Sequence, residues 1–265
     1  MSDTAQARTG GTAPRPAAPS GLYGRVLDDL GREIVSGELP AGSIVMAEAL
    51  CARFEVSRSV MRECLRALGS MGMVEGRPHV GTRVLPFTSW DLLNPQVVKW
   101  RAQSVQYVDQ MRQLLELRLG VEQAAARLAA GRISEQDAAE LRAAALRMRD
   151  ALEADDSHDY FAADERFHQL LLNGTGNPVI AQLSGTVGAA LQVRRHDMRP
   201  GMHDMTSGSV ERHLQLADAL GKRDAGSAQE AAFALVDETL QEFEALQSTR
   251  QDEVPAVKKS SRSRS

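Results

Sequence analysis

Residues Val56–Leu85 read VSRSVMRECLRALGSMGMVEGRPHVGTRVL. Val60, Met61, Cys64, Leu65, Leu68 and Met71 recur at helical spacing and define one apolar stripe. Arg58, Arg62 and Arg66 follow at i, i+4 and i+8, so they share a different stripe of the same helix. Ser57 is placed to cap its start, and Gly72 sits where a helix-ending glycine is expected. Two short extended pieces follow, Met73–Glu75 and Thr82–Leu85, joined by a turn over Gly76–Gly81. A helix with one buried side and an arginine edge, followed by a small hairpin, fits a winged helix-turn-helix meeting DNA. Periodicity alone serves equally well for an ordinary surface helix whose arginines are solvated.

Whole blocks of residues decide between these two. Val56-Ser57-Arg58-Ser59, Arg62-Glu63-Cys64-Leu65, Gly72-Met73-Val74-Glu75 and Gly81-Thr82-Arg83-Val84 resemble the GntR family of bacterial transcription regulators. That family's pattern runs V-S-R-(S/T)-x-x-R-E-A-L, then G-L-V, then G-T-x-V. The resemblance covers residues 22–85 and includes the loop Gly37–Gly42. It implies that Ser57, Arg58, Ser59 and Arg62 face operator DNA, with Arg66 on the same stripe. It places His79 and Gly81 at the tip of a wing near the minor groove. Two positions depart from the pattern. Glu48 stands where the family has a phosphate-contacting arginine, and Glu55 stands where it usually has a glycine in the turn.

The composition is that of an ordinary water-soluble chain: 43% hydrophobic, 25% charged and only 4% aromatic, over 265 residues. Alanine and leucine dominate the second half, which suggests mainly helix. The net charge of −4 does not itself suggest nucleic acid, but Val56–Leu85 carries five arginines against Glu63 and Glu75. Cys51 and Cys64 fall on apolar helix faces without CxxC spacing and read as thiols rather than a disulfide or a metal pair. No signal peptide and no apolar run of about 18 residues is present, so no membrane partner is expected and the expected location is cytoplasmic.

The expected architecture is a mainly α chain, with an N-terminal winged helix-turn-helix followed by an all-helical antiparallel bundle. Residues 1–20 read as a disordered tail and 21–86 as the DNA-binding domain, with helices over Leu22–Ser36 and Met46–Phe54 ahead of the recognition helix. Residues 87–104 form a connector whose Trp90, Leu92, Leu93 and Trp100 suggest packing on the next domain. Residues 105–248 form an effector-binding and dimerisation domain, and 249–265 a basic disordered tail. Six helices are expected in the bundle: Val105–Ala130, Ser134–Ala154, Ser157–Asn173, Pro178–Asp197, Ser209–Leu220 and Ser227–Gln247. Asn177 followed by Pro178 is a helix start signal.

Three of these helices carry polar residues on seams that their own pattern assigns to the core. The seams are Met111, Leu114, Arg118, Val121, Ala125, Leu128; then Phe161, Asp164, His168, Leu171; then Val210, His213, Ala217, Leu220. A buried charge is costly unless it is paired or metal-bound. Asp164 and His168 lie one turn apart and so project together, and His213 is a candidate third ligand. The competing arrangement is a metal-free ion pair of Asp164 with Arg118 or His168.

Asp164-x-x-Phe167-His168, Gly176-Asn177-Pro178, Glu211-Arg212-His213 and Arg118-x-x-x-Glu122 are similar to the all-helical FCD effector domain of the FadR branch. That likeness implies a divalent metal, zinc or nickel, held by an Asp and histidines, with an effector carboxylate on the metal and an arginine nearby. The family's third histidine falls on Leu235 here, leaving Asp164, His168 and His213. Arg118, Arg195 and His196 are the candidate effector contacts, with His203 a weaker one. The connector W-x-L-L-x-P-x-V-x-x-W looks like the sugar-acid branch, notably repressors of galactonate catabolism.

The expected function is a homodimeric, DNA-binding repressor released from its operator by a small carboxylate such as a sugar acid. The alternative is a metal-dependent enzyme using Asp164, His168 and His213, which has no evident general base: Glu165 points about 100° away around the helix. An architectural DNA-binding protein with an inert bundle is a third reading, against which the buried Arg118 and Asp164 speak.

Overall fold

The computed structural model describes residues 21–195 and 205–253, without the side chains of Arg195 and of 249–253. Its described residues divide into two compact units, meeting in sequence at Trp90 and Asp91.

In the first unit α1 (Gly21–Ser36), α2 (Ala47–Phe54) and α3 (Arg58–Ser70) pack around one small core. Val26, Leu27, Leu30 and Ile34 of α1 meet Met61, Cys64 and Leu68, the buried half of the α3 stripe. Ser57 caps α3, its hydroxyl accepting from the Val60 amide. The turn between α2 and α3 is made by Glu55 in the left-handed region (φ 54, ψ 42), its amide donating to the Cys51 carbonyl. A non-glycine residue there costs about 1–2 kcal/mol. Gly72 has no such choice: φ is +69, and an added Cβ would stand 2.1 Å from the Ser89 carbonyl oxygen.

The wing is β2 (Val74–Arg77) and β3 (Gly81–Val84), with Val74 opposite Val84 and Arg77 opposite Gly81. A strand not expected from the sequence, β1 (Ile44–Val45), pairs antiparallel with the far edge of β3, giving the order β1-β3-β2. Trp90 closes this unit, its indole N–H donating to the Leu85 carbonyl while Phe87 packs edge-on 5.4 Å away. The expected connector is therefore divided. Its first part belongs here, and its second is a helix of the other unit, α4 (Pro95–Arg101), with Asn94 as cap and Val97, Val98 and Trp100 buried.

The second unit is an all-helical bundle: α5 (Tyr107–Ala130), α6 (Glu135–Glu153), α7 (Ser157–Asn173), α8 (Pro178–Gln182), α9 (Ser184–Arg195), α10 (Ser207–Gly221) and α11 (Ala225–Glu253). α5 packs on α11, α6 on α7 and α10, and α9 on α7 and α4. Small residues make close helix approach possible, as Ala125, Ala126, Ala129, Ala145, Ala217, Ala228 and Ala232 are all buried around Phe167, Leu171 and Leu216.

Two boundaries differ from expectation. The helix expected over Pro178–Asp197 is broken at Leu183, where Ser184 and Gly185 are weak helix formers and Gly185 lies against Pro95. The last helix runs to Glu253 rather than stopping near Gln247, because no glycine or proline intervenes before Pro255.

Candidate functional site

The polar cluster inside the bundle is drawn from three helices. α7 contributes Asp164 and His168, α10 contributes His213, and α5 contributes Arg118 and Glu122, all of them buried. Phe167 walls the cluster, its ring 4.7 Å from that of His213.

Hydrogen bonding fixes which histidine nitrogen faces which neighbour. His213 Nδ1 lies 2.7 Å from the Ser209 carbonyl, which only accepts, so Nδ1 carries the hydrogen and Nε2 a lone pair. That bare Nε2 stands 3.0 Å from Asp164 Oδ1, yet makes no aligned hydrogen bond there. His168 Nε2 lies 3.1 Å from Arg118 Nη2, which only donates, so Nε2 is again the lone-pair side. It is 3.4 Å from the same Asp164 Oδ1. The Nδ1–H side then faces Glu122 Oε2 at 2.8 Å, close but off the line of a good hydrogen bond.

In these neutral tautomers Asp164 Oδ1 and the Nε2 atoms of His168 and His213 converge, the three ligand atoms within 4.8 Å of one another, with the His168 lone pair taken up by the Arg118 N–H. Bonds of about 2.0–2.2 Å to one ion need donors no more than about 4.4 Å apart, so an ion would draw the three side chains together and displace the Arg118 N–H from His168. The residues present fit a divalent metal. Glu122 behind His168 completes the carboxylate–histidine–metal arrangement that fixes a ligand's tautomer.

Electrostatics follow from the burial. Desolvation alone would raise the Glu122 carboxyl, but the charges of Arg118 and of the close-lying His168, with the Arg118 hydrogen bond, hold it down at about 2. Asp164 is likewise raised by burial and driven well below the carboxylate range by His168 and His213 in their protonated form, the charge that a bound cation would replace. Burial is the largest influence on His168 and lowers it, as does the Arg118 charge, and only the Glu122 charge and the contacts with Asp164 and Glu122 together leave it raised. Arg118 Nε donates to Glu122 at 2.7 Å, so a buried guanidinium bridges Glu122 and the metal-facing nitrogen of His168.

Arg118 also lines a cavity next to this cluster, with Arg194, Thr239 and Glu242 as polar walls and Met111, Leu115 and Phe243 among the apolar ones. The cavity is narrow and partly open, with about 20 Å3 of room, the space of one water. Arg194 lines it and was not singled out in the sequence. The expected contact Arg195 has its side chain outside the described residues, and His196 and His203 lie wholly outside them. Glu122 was also missed as a site residue, because the α5 seam was drawn through Val121 and Leu128. The buried face runs through Glu122, Ala125, Ala126 and Ala129, and Val121 and Leu128 are only half-buried. Leu235, on α11, is buried in the apolar core.

In the first unit, Ser57, Arg58, Ser59, Arg62 and Arg66 are all exposed. Arg58, Arg62 and Arg66 line one open groove of about 700 Å3 with Glu48 and Thr82. Arg66 is 2.6 Å from Glu63, whereas Arg58 and Arg62 make no ion pair among the described residues. His79 is exposed at the wing tip with φ 61. Gly81 adjoins the tip, opposite Arg77 in the last pair before the turn, and opens β3 with φ +118, where a Cβ would come 3.0 Å from the Val45 carbonyl.

A winged helix-turn-helix with free arginines on its recognition helix, next in the chain to a helical bundle with a buried polar pocket, defines a ligand-responsive DNA-binding regulator. The comparisons agree: residues 22–84 match the bacterial regulatory proteins of the gntR family, and residues 113–238 match the FCD domain. The chain is 30% identical over 213 residues to the galactonate operon transcriptional repressor of Escherichia coli strain K12, covering 80% of this chain and 92% of that one. It is 30% identical over 206 residues to the HTH-type transcriptional regulator LutR of Bacillus subtilis, covering 76% and 91%. A solved chain described as Lar, controlling expression of the Listeria monocytogenes agr system, superposes with a TM-score of 0.60 at 21% identity, covering 86% and 98%. The chain belongs to the GntR family and carries an FCD domain, so it is a DNA-binding transcription regulator. The relatives are regulators, and the enzyme reading of Asp164, His168 and His213 gains no support from them. Among the described residues no helix is long and apolar enough to cross a membrane.

Proposed function

We propose that this protein is a cytoplasmic, homodimeric repressor whose operator affinity is lowered by a small carboxylate, a sugar acid being the first candidate, bound at a zinc or nickel ion. The observation that carries the reading is the convergence of His168 Nε2, the unpartnered His213 Nε2 and Asp164 Oδ1 beside the Arg118 guanidinium, which holds His168 Nε2 until an ion takes its place. A divalent ion there would supply an electrophilic point for a carboxylate and its neighbouring hydroxyl. Asp164, His168 and His213 would hold it, Glu122 would keep His168 turned correctly, and Arg118 would pair with the ligand's carboxylate. The connector's sugar-acid wording and the relative named a galactonate operon repressor point to the same ligand class.

The narrow cavity supports a switching role. A six-carbon acid needs more room than the one-water space beside Arg118, so its binding would widen the cleft between the helices that line it. A ligand shifts an equilibrium only by its differential affinity for the two states, and a hundredfold preference corresponds to about 2.7 kcal/mol. A dimer is expected because one recognition helix reads only a few base pairs.

The test is a thermal-shift screen of hexonates against the metal-free, zinc-loaded and nickel-loaded protein. It is followed by measuring release from duplexes that the protein itself selects from a randomised pool. Stabilisation by a hexonate only when metal is present, with release of the duplex, is the expected result. Hexonate binding that is indifferent to metal removes the metal from the mechanism.

A further inference from the structure

An acid stands in the groove that the recognition helix presents. Glu48 is the second residue of α2, exposed, and it lines this groove with Arg58, Arg62, Arg66 and Thr82. It makes no ion pair among the described residues, although two unpaired arginines share the groove with it. Ala47 lines the same groove, so the start of α2 is turned toward whatever α3 contacts.

A carboxylate has few partners on DNA. Phosphate oxygens only accept hydrogen bonds, and their charge repels it, so Glu48 weakens every backbone-driven encounter. In the major groove the base edges offer two amino donors, cytosine N4 and adenine N6. Adenine sets its N7 acceptor beside N6, where it faces the second carboxylate oxygen unfavourably. Cytosine has a C5–H in place of that N7 on its own ring, so the second carboxylate oxygen meets no lone pair on that side.

We propose that Glu48 is a specificity-determining residue that accepts a hydrogen bond from the N4 amino group of one cytosine in each half-site. On any duplex lacking that cytosine it is left desolvated and unpaired against the phosphates. The proposal rests on the groove facing DNA. A purely local role for Glu48 also exists, since an acid in the first turn favours α2 through the helix dipole. That role would move thermal stability and leave base preference untouched.

The experiment runs the full-length protein and its Glu48→Ala and Glu48→Gln variants in parallel against duplexes with a randomised centre, sequencing what each retains. The wild type is expected to retain one cytosine per half-site that Glu48→Ala loses. Glu48→Gln is expected to exchange it for adenine, whose N6 and N7 suit an amide. On the best wild-type duplex, replacing that C·G pair should weaken wild-type binding roughly tenfold and Glu48→Ala binding less than twofold. Both variants should also bind random duplex more tightly than the wild type does. Identical consensus sequences for all three proteins overturn the proposal while leaving the DNA-facing groove intact. If the wild type enriches no sequence at all, the groove reading fails and the proposal fails with it.

Discussion

His213 Nε2 and Asp164 Oδ1 lie 3.0 Å apart in a buried site, and neither brings a hydrogen to the contact. His168 Nε2 stands 3.4 Å from the same oxygen, its lone pair accepting from Arg118. With His213 neutral its contact with Asp164 has no hydrogen in it, and a proton or a metal ion relieves it. Zinc or nickel at a hundred times its dissociation constant should therefore stabilise the metal-free protein by about 2.7 kcal/mol. His168→Ala and His213→Ala should each remove that stabilisation, and Glu122→Gln should weaken metal binding about 10–100-fold. Calorimetric titration and thermal melts with each metal check this. Equal stabilisation of the wild type and both histidine variants would place the ion elsewhere.

On the DNA side, Arg58 and Arg62 share one groove and carry no ion partner among the described residues, so both are free to reach a duplex. Arg58→Ala and Arg62→Ala should each cost roughly 1–3 kcal/mol of binding to the selected duplex. Fluorescence anisotropy at two salt concentrations separates base contact from phosphate contact. A variant that loses affinity equally on all sequences, with a shallower salt slope, has lost a phosphate contact.

How far the sequence reveals all this depends on whether a feature is local. The α3 stripe, its Ser57 cap and the Asp164–His168 pair sit within single helices, so helical spacing exposes them directly. His213 was legible for the same reason, as a polar interruption of its own seam. β1 was not, because two residues carry no period, and Ile44–Val45 becomes a strand only by pairing with β3. Glu122 was hidden because α5 is buried over a face wider than one seam, so the stripe through Val121 looked sufficient. The tautomers of His168 and His213 depend on Arg118 and the Ser209 carbonyl, and three-dimensional contact alone discloses the first of these.

Gly72 marks where the end of α3 meets Ser89. With φ +69 and only 2.1 Å from an added Cβ to the Ser89 oxygen, any side chain there must push two backbone segments apart. Gly72→Ala should destabilise the protein by about 2 kcal/mol or more. The melting transition followed by circular dichroism reads this. An unchanged midpoint would mean that the Phe87–Trp90 segment yields without cost.

Cys64 and Cys51 should differ sharply in reactivity. Cys64 is fully buried against α1, and burial pushes its thiol up to about 11. Its thiolate is scarce at pH 8 and grows as pH rises toward that value, whereas Cys51 is only half-buried. A thiol-reactive dye at pH 8 should label one cysteine in the folded protein and both after denaturation. Prompt labelling of both in the folded state would contradict the burial of α3 against α1.

The link between effector and operator release should run through Arg118, but the plain alanine variant is a poor probe. Arg118 is the main charge holding the buried Glu122 carboxyl at about 2, and removing it strands that charge. Breaking a buried pair in this way costs about 3–5 kcal/mol, enough to mask any effect on signalling. Pairing Arg118→Ala with Glu122→Gln removes the stranded charge. The double variant should fold, bind its selected duplex with wild-type affinity and fail to release it when hexonate is added. Glu122→Gln alone leaves Arg118 with an amide oxygen to donate to and the Asp164 charge nearby, and it serves as the control once its melting midpoint shows that it folds. It should still release the duplex, at higher metal concentration, because its defect lies in holding His168. Anisotropy titrations of hexonate against preformed protein–duplex complexes, at fixed and then increasing zinc, measure both. If the double variant releases the duplex at the same hexonate concentration as the wild type, Arg118 does not take the effector carboxylate, and the ligand engages the bundle by another route.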